Sequence, residues 1–297
     1  MEPLVSVVIP LYNHEKFINT CLDSLYEEDY PNLEVILLDD GSRDRSFAMA
    51  QAWLEAHRDR FARIVAGTQA NAGICRTYNR MIAQAQGRYI ALMASDDAFQ
   101  RGGLRARVQY LEQHPELLAV FGDAEAIDEH GATLAHSVIR ELHRGDTAAL
   151  AHPRRTAREV ILRWSAPGSN FLARRIAYDP VSGVGPYNES LFTEDRDMYL
   201  RMLARKALGF VDMPVTRHRL HSRNASRYNI PPEMATVALR AEMLNLHRFR
   251  GLDHFLLSLI ILMNQPDPPR MTLKYWLVRA GVRLARALNR RGWLDRF

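Results

Sequence analysis

Leu92-Met93-Ala94-Ser95-Asp96-Asp97 begins as an apolar strand and ends on two adjacent carboxylates. Strand interiors reject acids, because an unpaired buried charge costs several kcal/mol or neutralises. Two acids at a strand's carboxyl end sit where open α/β sheets bind ligands. Hard oxygen ligands at that place suit Mg2+ or Mn2+ carrying a phosphate.

The residues on either side of this stretch set the class. Leu4–Ile9 is a short β-branched run of the kind a buried parallel strand requires. His14–Tyr26 then places Phe17, Ile18, Cys21, Leu22 and Leu25 on one helical face. Further strands are expected at Glu34–Leu38, Arg63–Ala66 and Tyr89–Met93, with helices at Asp44–His57 and Gly73–Ala85 and Gly87 as a C-cap. This alternation predicts an α/β fold with a mostly parallel central sheet and right-handed crossovers. Beyond Asp97 a helix at Gly103–Gln113 and a strand at Leu117–Phe121 precede about forty poorly periodic residues. Arg140, His143, Arg144, Arg154, Arg155 and Arg158 make that region basic, as a solvated face or an anion contact. Glu194–Ala204 is again helical, and from Pro231 onward the pattern is all-helical.

The chain has 297 residues, 47% hydrophobic and 25% charged, which are the proportions of an ordinary globular protein. A formal charge of +5 and a pI near 9.3 suit phosphate-bearing ligands or an anionic membrane surface. No basic patch with interleaved aromatics argues for nucleic acid. Cys21 and Cys75 lack metal-type spacing and are expected as free thiols in a reducing, cytoplasmic setting. Met1–Pro10 has no basic n-region and does not read as a signal peptide. The longest apolar run, Phe255–Met263, falls short of the roughly 20 residues a membrane span needs.

Acids punctuate three element ends: Asp39-Asp40, Asp96-Asp97 and Glu194-Asp195. Singly, each has a local explanation, as a turn, a cap or a helix-dipole partner. Together with their surroundings they resemble the family 2 glycosyltransferases. The resemblance rests on Val5-Ser6-Val7-Val8-Ile9-Pro10-Leu11-Tyr12-Asn13, then Asp39-Asp40-Gly41-Ser42-Arg43-Asp44, Asn71-Ala72-Gly73, Asn79, Gly87-Arg88-Tyr89-Ile90 and Ser95-Asp96-Asp97. It continues through Val184-Gly185-Pro186-Tyr187-Asn188-Glu189-Ser190-Leu191 and Thr193-Glu194-Asp195-Arg196-Asp197, covering about residues 4 to 225. Where the family often has an acid two positions before Asp96, this chain has Ala94.

The resemblance implies a GT-A fold, a nucleotide-sugar donor, a divalent metal (Mg2+ or Mn2+) and inversion at the anomeric carbon. Pro10, Tyr12 and Asp40 would lie against the nucleobase, with Asn71, Asn79, Asp96 and Arg219 also on the donor side. Tyr12 offers a flat apolar face, and Asp40 an acceptor for a base N–H, which favours uracil and a UDP-sugar. Asp96, Asp97 and His221 would hold the metal. His218 precedes His221 by three residues, a metal-pair spacing only on a helix, and no helix is expected there. Arg219 or Arg223 would clamp phosphate through a guanidinium fork. Asp195, with Glu194 beside it, would take the acceptor's proton as general base. At a helix N-terminus it is expected to have a lowered pKa.

Over Lys274–Asn289 and one residue beyond, Arg279, Arg283, Arg286 and Arg290 recur at helical spacing. Trp276, Leu277, Ala280, Leu284, Ala287 and Leu288 fall largely opposite. Such a basic amphipathic helix suits peripheral attachment to the inner face of the cytoplasmic membrane, a packed helix or a dimer contact. The expected organisation is a glycosyltransferase domain over 1–225, with a nucleotide half (1–100) and an acceptor half (101–225), and a helical extension over 226–297. The acceptor is expected to be a hydroxyl of a glycan or a lipid-linked precursor. A sugar nucleotidyltransferase and a catalytically silent nucleotide-binding scaffold are the rival readings. The former lacks a glycine-rich basic phosphate loop, and only Ala94 favours the latter.

Overall fold

The computed structural model describes residues 2–166, 170–181, 183–191, 194–222, 224, 232–265 and 273–296. Its first half follows the apolar runs. Val5–Leu11 (β1), Leu33–Asp39 (β2), Arg63–Thr68 (β3) and Tyr89–Leu92 (β4) are strands, joined by helices Ile18–Tyr26 (α1), Ser46–Ala56 (α2) and Ile74–Ile82 (α3). β1 pairs in parallel with β2 and β4, and β2 with β3. Leu11 lies opposite Asp39, and Val8 opposite Leu92, so the acidic segments that follow β2 and β4 emerge on one sheet edge.

The helices begin later than periodicity predicts, because the residues before them hold the loops. The backbone N–H of His14 donates to Ser46 Oγ, and Glu15 N–H to Asp44 Oδ2. Gly87 is not a C-cap, since α3 ends at Ile82. It instead lies flat against β1, donating to Ser6 Oγ and to the buried carboxylate of Glu34. A Cβ there would meet Ser6 N at 2.7 Å and Leu4 O at 2.8 Å, so the glycine serves close backbone approach.

The second half contains Ala98–Phe99 (β5), Gly103–Gln113 (α4), Ala119–Ile127 (β6), Thr133–Ala135 (β7), Thr147–Leu150 (α5) and Thr156–Arg163 (α6). Leu172–Arg174 (β8), Glu194–Ala204 (α7) and Leu208–Arg219 (β9) follow. The sheet runs β3-β2-β1-β4-β8-β6-β9-β5, with β7 beside β6. β9 has no counterpart in the sequence reading. Its register against β6 shifts around Asp123 and Pro214, and such irregularities erase the two-residue alternation that betrays a strand.

Alternate residues of the central strands feed two cores on opposite faces. Val5, Val7, Ile9, Val35 and Leu37 join one core with Leu22 of α1 and Leu104 of α4. Val8, Ile36, Ile90 and Phe121 join the other with Met81 of α3, Ile161 of α6 and Tyr199 of α7.

Pro232–Asn245 (α8), Gly251–Met263 (α9) and Leu273–Arg290 (α10) make the C-terminal part helical. They continue the second core rather than forming a separate one: Leu239, Leu256, Ile260, Val282 and Leu294 belong to it. The expected boundary at 225/226 lies outside the described residues. On α10 the structure divides the faces differently from the wheel. Among its described side chains Val282, Ala285 and Asn289 are the buried ones, and Arg286 turns inward to donate to Leu162 O. Leu277 and Leu284 are about 60% exposed, at 62% and 60%. They border an apolar groove of about 700 Å³ between α9 and α10 that Phe255, Leu259 and Leu288 also line. Among the described residues no helix is long and apolar enough to cross a membrane.

Candidate active site

The loop after β1 is held by the loop after β2. Asn13, at φ 54°, donates its backbone N–H to Ser42 Oγ and accepts from Arg43 N through Oδ1. This clasp points His14 toward the β4 loop, where its Nδ1 lies 2.8 Å from Ser95 Oγ. Its Nε2 then faces Asp96 Oδ2 at 3.8 Å. From the far end of the chain, His221 Nε2 reaches the same oxygen at 3.0 Å. The His221 ring is set by Phe17, with centroids 4.7 Å apart, and Asn224 Nδ2 approaches Asp96 Oδ2 at 3.4 Å.

His14, Asp96 and His221 thus offer two imidazole nitrogens and one carboxylate oxygen, all within 4.8 Å of one another. Those donors and that spacing fit one divalent cation. Burial alone would raise the Asp96 carboxyl, but the His221 hydrogen bond and the neighbouring imidazoles outweigh it and hold it below the usual range. Burial lowers His14, against the pull of Asp96, which keeps its ring neutral. Sequence reasoning missed His14. Its signal was a histidine five residues past the expected end of the first strand at Ile9, and three past the end of β1 at Leu11, on the sheet edge where the acids emerge.

Asp97 faces elsewhere. Both of its oxygens lie 3.2 Å from His218 Nδ1, and Oδ1 accepts the Arg219 backbone N–H at 2.8 Å. It binds the β4 loop to β9, while Asp96 turns to the cluster. His218, set aside for want of a helix, is therefore engaged through a strand. Arg219 also departs from the expected phosphate clamp. Its buried guanidinium donates to the carbonyls of Asp96, Asp128 and Glu129 and lies over the Phe17 ring. It holds Asp96 in place from behind. Arg223 lies outside the described residues.

At the end of β1, Pro10 is partly buried and Tyr12 is 44% exposed, with its ring open to solvent. Asp40 accepts from Gln69 Nε2, Ala72 N and Gly73 N, which narrows its expected role toward a base. The carboxylate chiefly shapes the Asn71-Ala72-Gly73 turn, leaving one acceptor direction. Gly41, at φ +82°, lets Asn71 approach: a Cβ would lie 3.1 Å from its backbone nitrogen. Asn71 itself is exposed. Asn79 is not a ligand group in this arrangement. Its amide exchanges both hydrogen bonds with the Tyr187 backbone and donates to Glu189 Oε1, tying α3 to the loop before α7.

Asp195 opens α7, partly exposed, and its Oδ1 accepts the Arg196 N–H. One turn on, the Tyr199 hydroxyl lies 3.4 Å from Asn170 Oδ1, whose neighbour Phe171 accepts from Leu92 N. This chain of contacts connects α7 to the carboxyl end of β4. The expected lowering of the Asp195 pKa is reversed: burial raises it, and the Arg196 N–H and guanidinium offset this only in part. The helix macrodipole is a fraction of a charge, and it loses to desolvation. Arg196 is fixed over Trp164, 4.3 Å from its ring, and paired with Glu242. Thr193 and the Glu194 side chain lie outside the described residues.

Comparison with known proteins bears on the family and the fold. An uncharacterized glycosyltransferase, EpsJ of Bacillus subtilis, is 37% identical over 114 residues, 38% of this chain and 32% of the relative. An uncharacterized glycosyltransferase of Rickettsia felis is 24% identical over 227 residues, 76% of this chain and 35% of its own. The matches thus span about a third of the length of these curated relatives. Among solved structures, Staphylococcus aureus TarS 1-349 in complex with UDP-GlcNAc aligns over 96% of this chain and 81% of its own, with TM-score 0.65 and 17% identity. The mannosyltransferase PcManGT of Pyrobaculum calidifontis, in complex with GDP-Man and Mn2+, aligns over 99% and 83%, with TM-score 0.68 and 18% identity. These likenesses show the GT-A fold. The profile of glycosyl transferase family 2 matches residues 6–180, more than half of the 297, and the chain belongs to that family.

Proposed function

We propose that this protein transfers a sugar, with inversion, from a nucleotide-sugar to a hydroxyl of a glycan or lipid-linked acceptor. The observation that carries the reading is the Asp96 carboxylate facing two imidazoles on the edge where β1, β2 and β4 end. Family membership and the nucleotide sugars in the two solved neighbours support it. Tyr12 stacks on the base, and the remaining acceptor direction of Asp40 takes a base N–H, which favours UDP. Asp96 and His221 would hold the divalent cation, Mg2+ or Mn2+. When bound, the cation neutralises the charge that grows on the departing diphosphate.

Asp195 receives the proton of the acceptor hydroxyl as that oxygen attacks the anomeric carbon from the face opposite the diphosphate. The electron pair of the breaking glycosidic bond leaves on the diphosphate oxygen. A carboxyl raised by burial is a better base than an ordinary aspartate near neutral pH. Glu194 stands beside it in the same turn. Arg219, Asp97 and Asn79 act by holding the cleft together.

The exposed apolar rim of α9 and α10, with Arg283 and Arg290 exposed beside it, suits the headgroup region of an anionic bilayer. Attachment there would bring a lipid-linked acceptor to the domain.

The direct test screens UDP-sugars and GDP-sugars for cation-dependent release of the nucleoside diphosphate. Turnover with one UDP-sugar, abolished by EDTA, is expected. No release from any nucleotide-sugar, combined with no nucleotide binding, overturns the reading.

A further inference from the structure

We infer that His14 is a third protein ligand of the bound cation, so that the site is a two-nitrogen, one-oxygen set that selects Mn2+ over Mg2+. The inference rests on the reading of the cleft as a cation-assisted transfer site.

Three features of the chain lead to it. Ala94 ends in a methyl group and supplies no donor, so the β4 loop gives the cation Asp96 alone once Asp97 is tied to β9. His14 is oriented as metal-bound histidines are: with Nδ1–H donating to Ser95 Oγ, the Nε2 lone pair points into the cluster. His14 is also locked before any ligand arrives. Its backbone N–H donates to Ser46 Oγ, and its ring packs edge-on to Phe17 at 6.1 Å and His221 at 6.0 Å. Nε2 of His14 faces the same Asp96 oxygen that His221 Nε2 reaches, at 3.8 Å and 3.0 Å, so the three side chains converge as co-ligands of one ion would.

The donor set decides the ion. Mg2+ prefers oxygen ligands and sheds water reluctantly, whereas imidazole nitrogens favour later first-row ions. Two imidazoles therefore raise affinity for Mn2+ more than for Mg2+. They would raise it further for Co2+ and Zn2+, following the usual order of these ions.

Calorimetric titration of the full chain with Mn2+ and with Mg2+, each with and without UDP, tests the idea. Wild type should bind Mn2+ tighter than Mg2+, and His14→Gln should lose roughly ten-fold or more in Mn2+ affinity with a smaller loss for Mg2+. Pulsed electron paramagnetic resonance of Mn2+ on the wild-type chain should show two coupled histidine nitrogens, and one after His14→Gln. Because the spectrum is read on the wild type, it holds even if the variant folds poorly. One nitrogen in wild type, or Mn2+ affinity unchanged by His14→Gln while Asp96→Asn abolishes it, overturns the inference but leaves the transfer reading standing. Failure of wild type to bind either ion with UDP present overturns both.

Discussion

Nε2 of His221 lies 3.0 Å from Oδ2 of Asp96, across 125 positions of sequence. The adjacent acid, Asp97, is turned away and held by His218 and the Arg219 backbone. Two neighbouring carboxylates that look interchangeable in the sequence therefore do different work, and substitutions should separate them.

Asp96→Asn is expected to reduce Mn2+-dependent UDP binding at least ten-fold, with some loss of stability as well, because its surroundings favour the ionised carboxylate. Asp97→Asn should act on stability alone, costing about 1–2 kcal/mol by weakening a buried bracket. Its cation affinity should stay within about three-fold, since a positioning carboxylate acts indirectly. Calorimetry and thermal unfolding of both variants provide the comparison, and equal loss of cation binding in the two would contradict the assignment.

Asp195→Asn should lower transfer by about 10²–10⁴-fold, the usual range for a lost general base. Donor binding should survive. The same substitution is expected to stabilise the fold at neutral pH. A carboxyl whose folded pKa is raised costs stability when ionised, and that cost is full above the folded pKa. Below the ordinary carboxylate range both states are protonated and the gain should vanish. Unfolding temperatures of wild type and variant at several pH values would reveal the trend, and a variant destabilised throughout would argue against a desolvated carboxyl.

The same shift governs activity. Because Asp195 must be ionised to accept a proton and burial raises its pKa, the acid limb of kcat/KM should lie above the ordinary aspartate range. The rate should fall as pH drops through that limb. A flat profile down to the normal range of a surface aspartate would remove Asp195 from the role of base.

Gly87→Ala should destabilise by about 1–3 kcal/mol, the usual result of overpacking. The new methyl would meet the backbone of Leu4 and Ser6, which cannot swing aside as a side chain can. It would also disturb the bonds from Gln86 and Gly87 to Glu34. Chemical denaturation measures it, and a neutral outcome would show that β1 and the Gly87 segment can part freely.

Replacing Arg283 and Arg290 by Gln should weaken binding to anionic vesicles by about 30-fold, at about 1 kcal/mol per basic residue. Neutral vesicles should show little binding to either form. Equal affinity of wild type and variant for anionic vesicles would set the membrane proposal aside.

Much of the α/β half was legible because short apolar runs, loop acids and helical faces are local patterns. β1 to β4 lie within a few residues of where those patterns put them, and α7 begins at Glu194 as expected. β9 was not legible, since bulges around Asp123 and Pro214 break its alternation. His218 and Arg219 lost their apparent meaning with it. The tail shows the same limit. Arginine spacing on α10 suggested a uniform polar stripe, yet Arg286 is drawn inward by a carbonyl on α6, while Leu277 and Leu284 stay at the surface.

The order of residues by itself determined the parallel strands and the edge to which their acids are delivered, because strand period and crossover handedness are properties of the backbone. It also named the family, whose motifs sit in that local frame. Only the tertiary structure decided which acid joins His221, that His14 joins them too, and that the Asp195 pKa goes up rather than down. Those outcomes depend on desolvation and on partners 81 or more positions away, which act through space and leave no periodic trace along the chain.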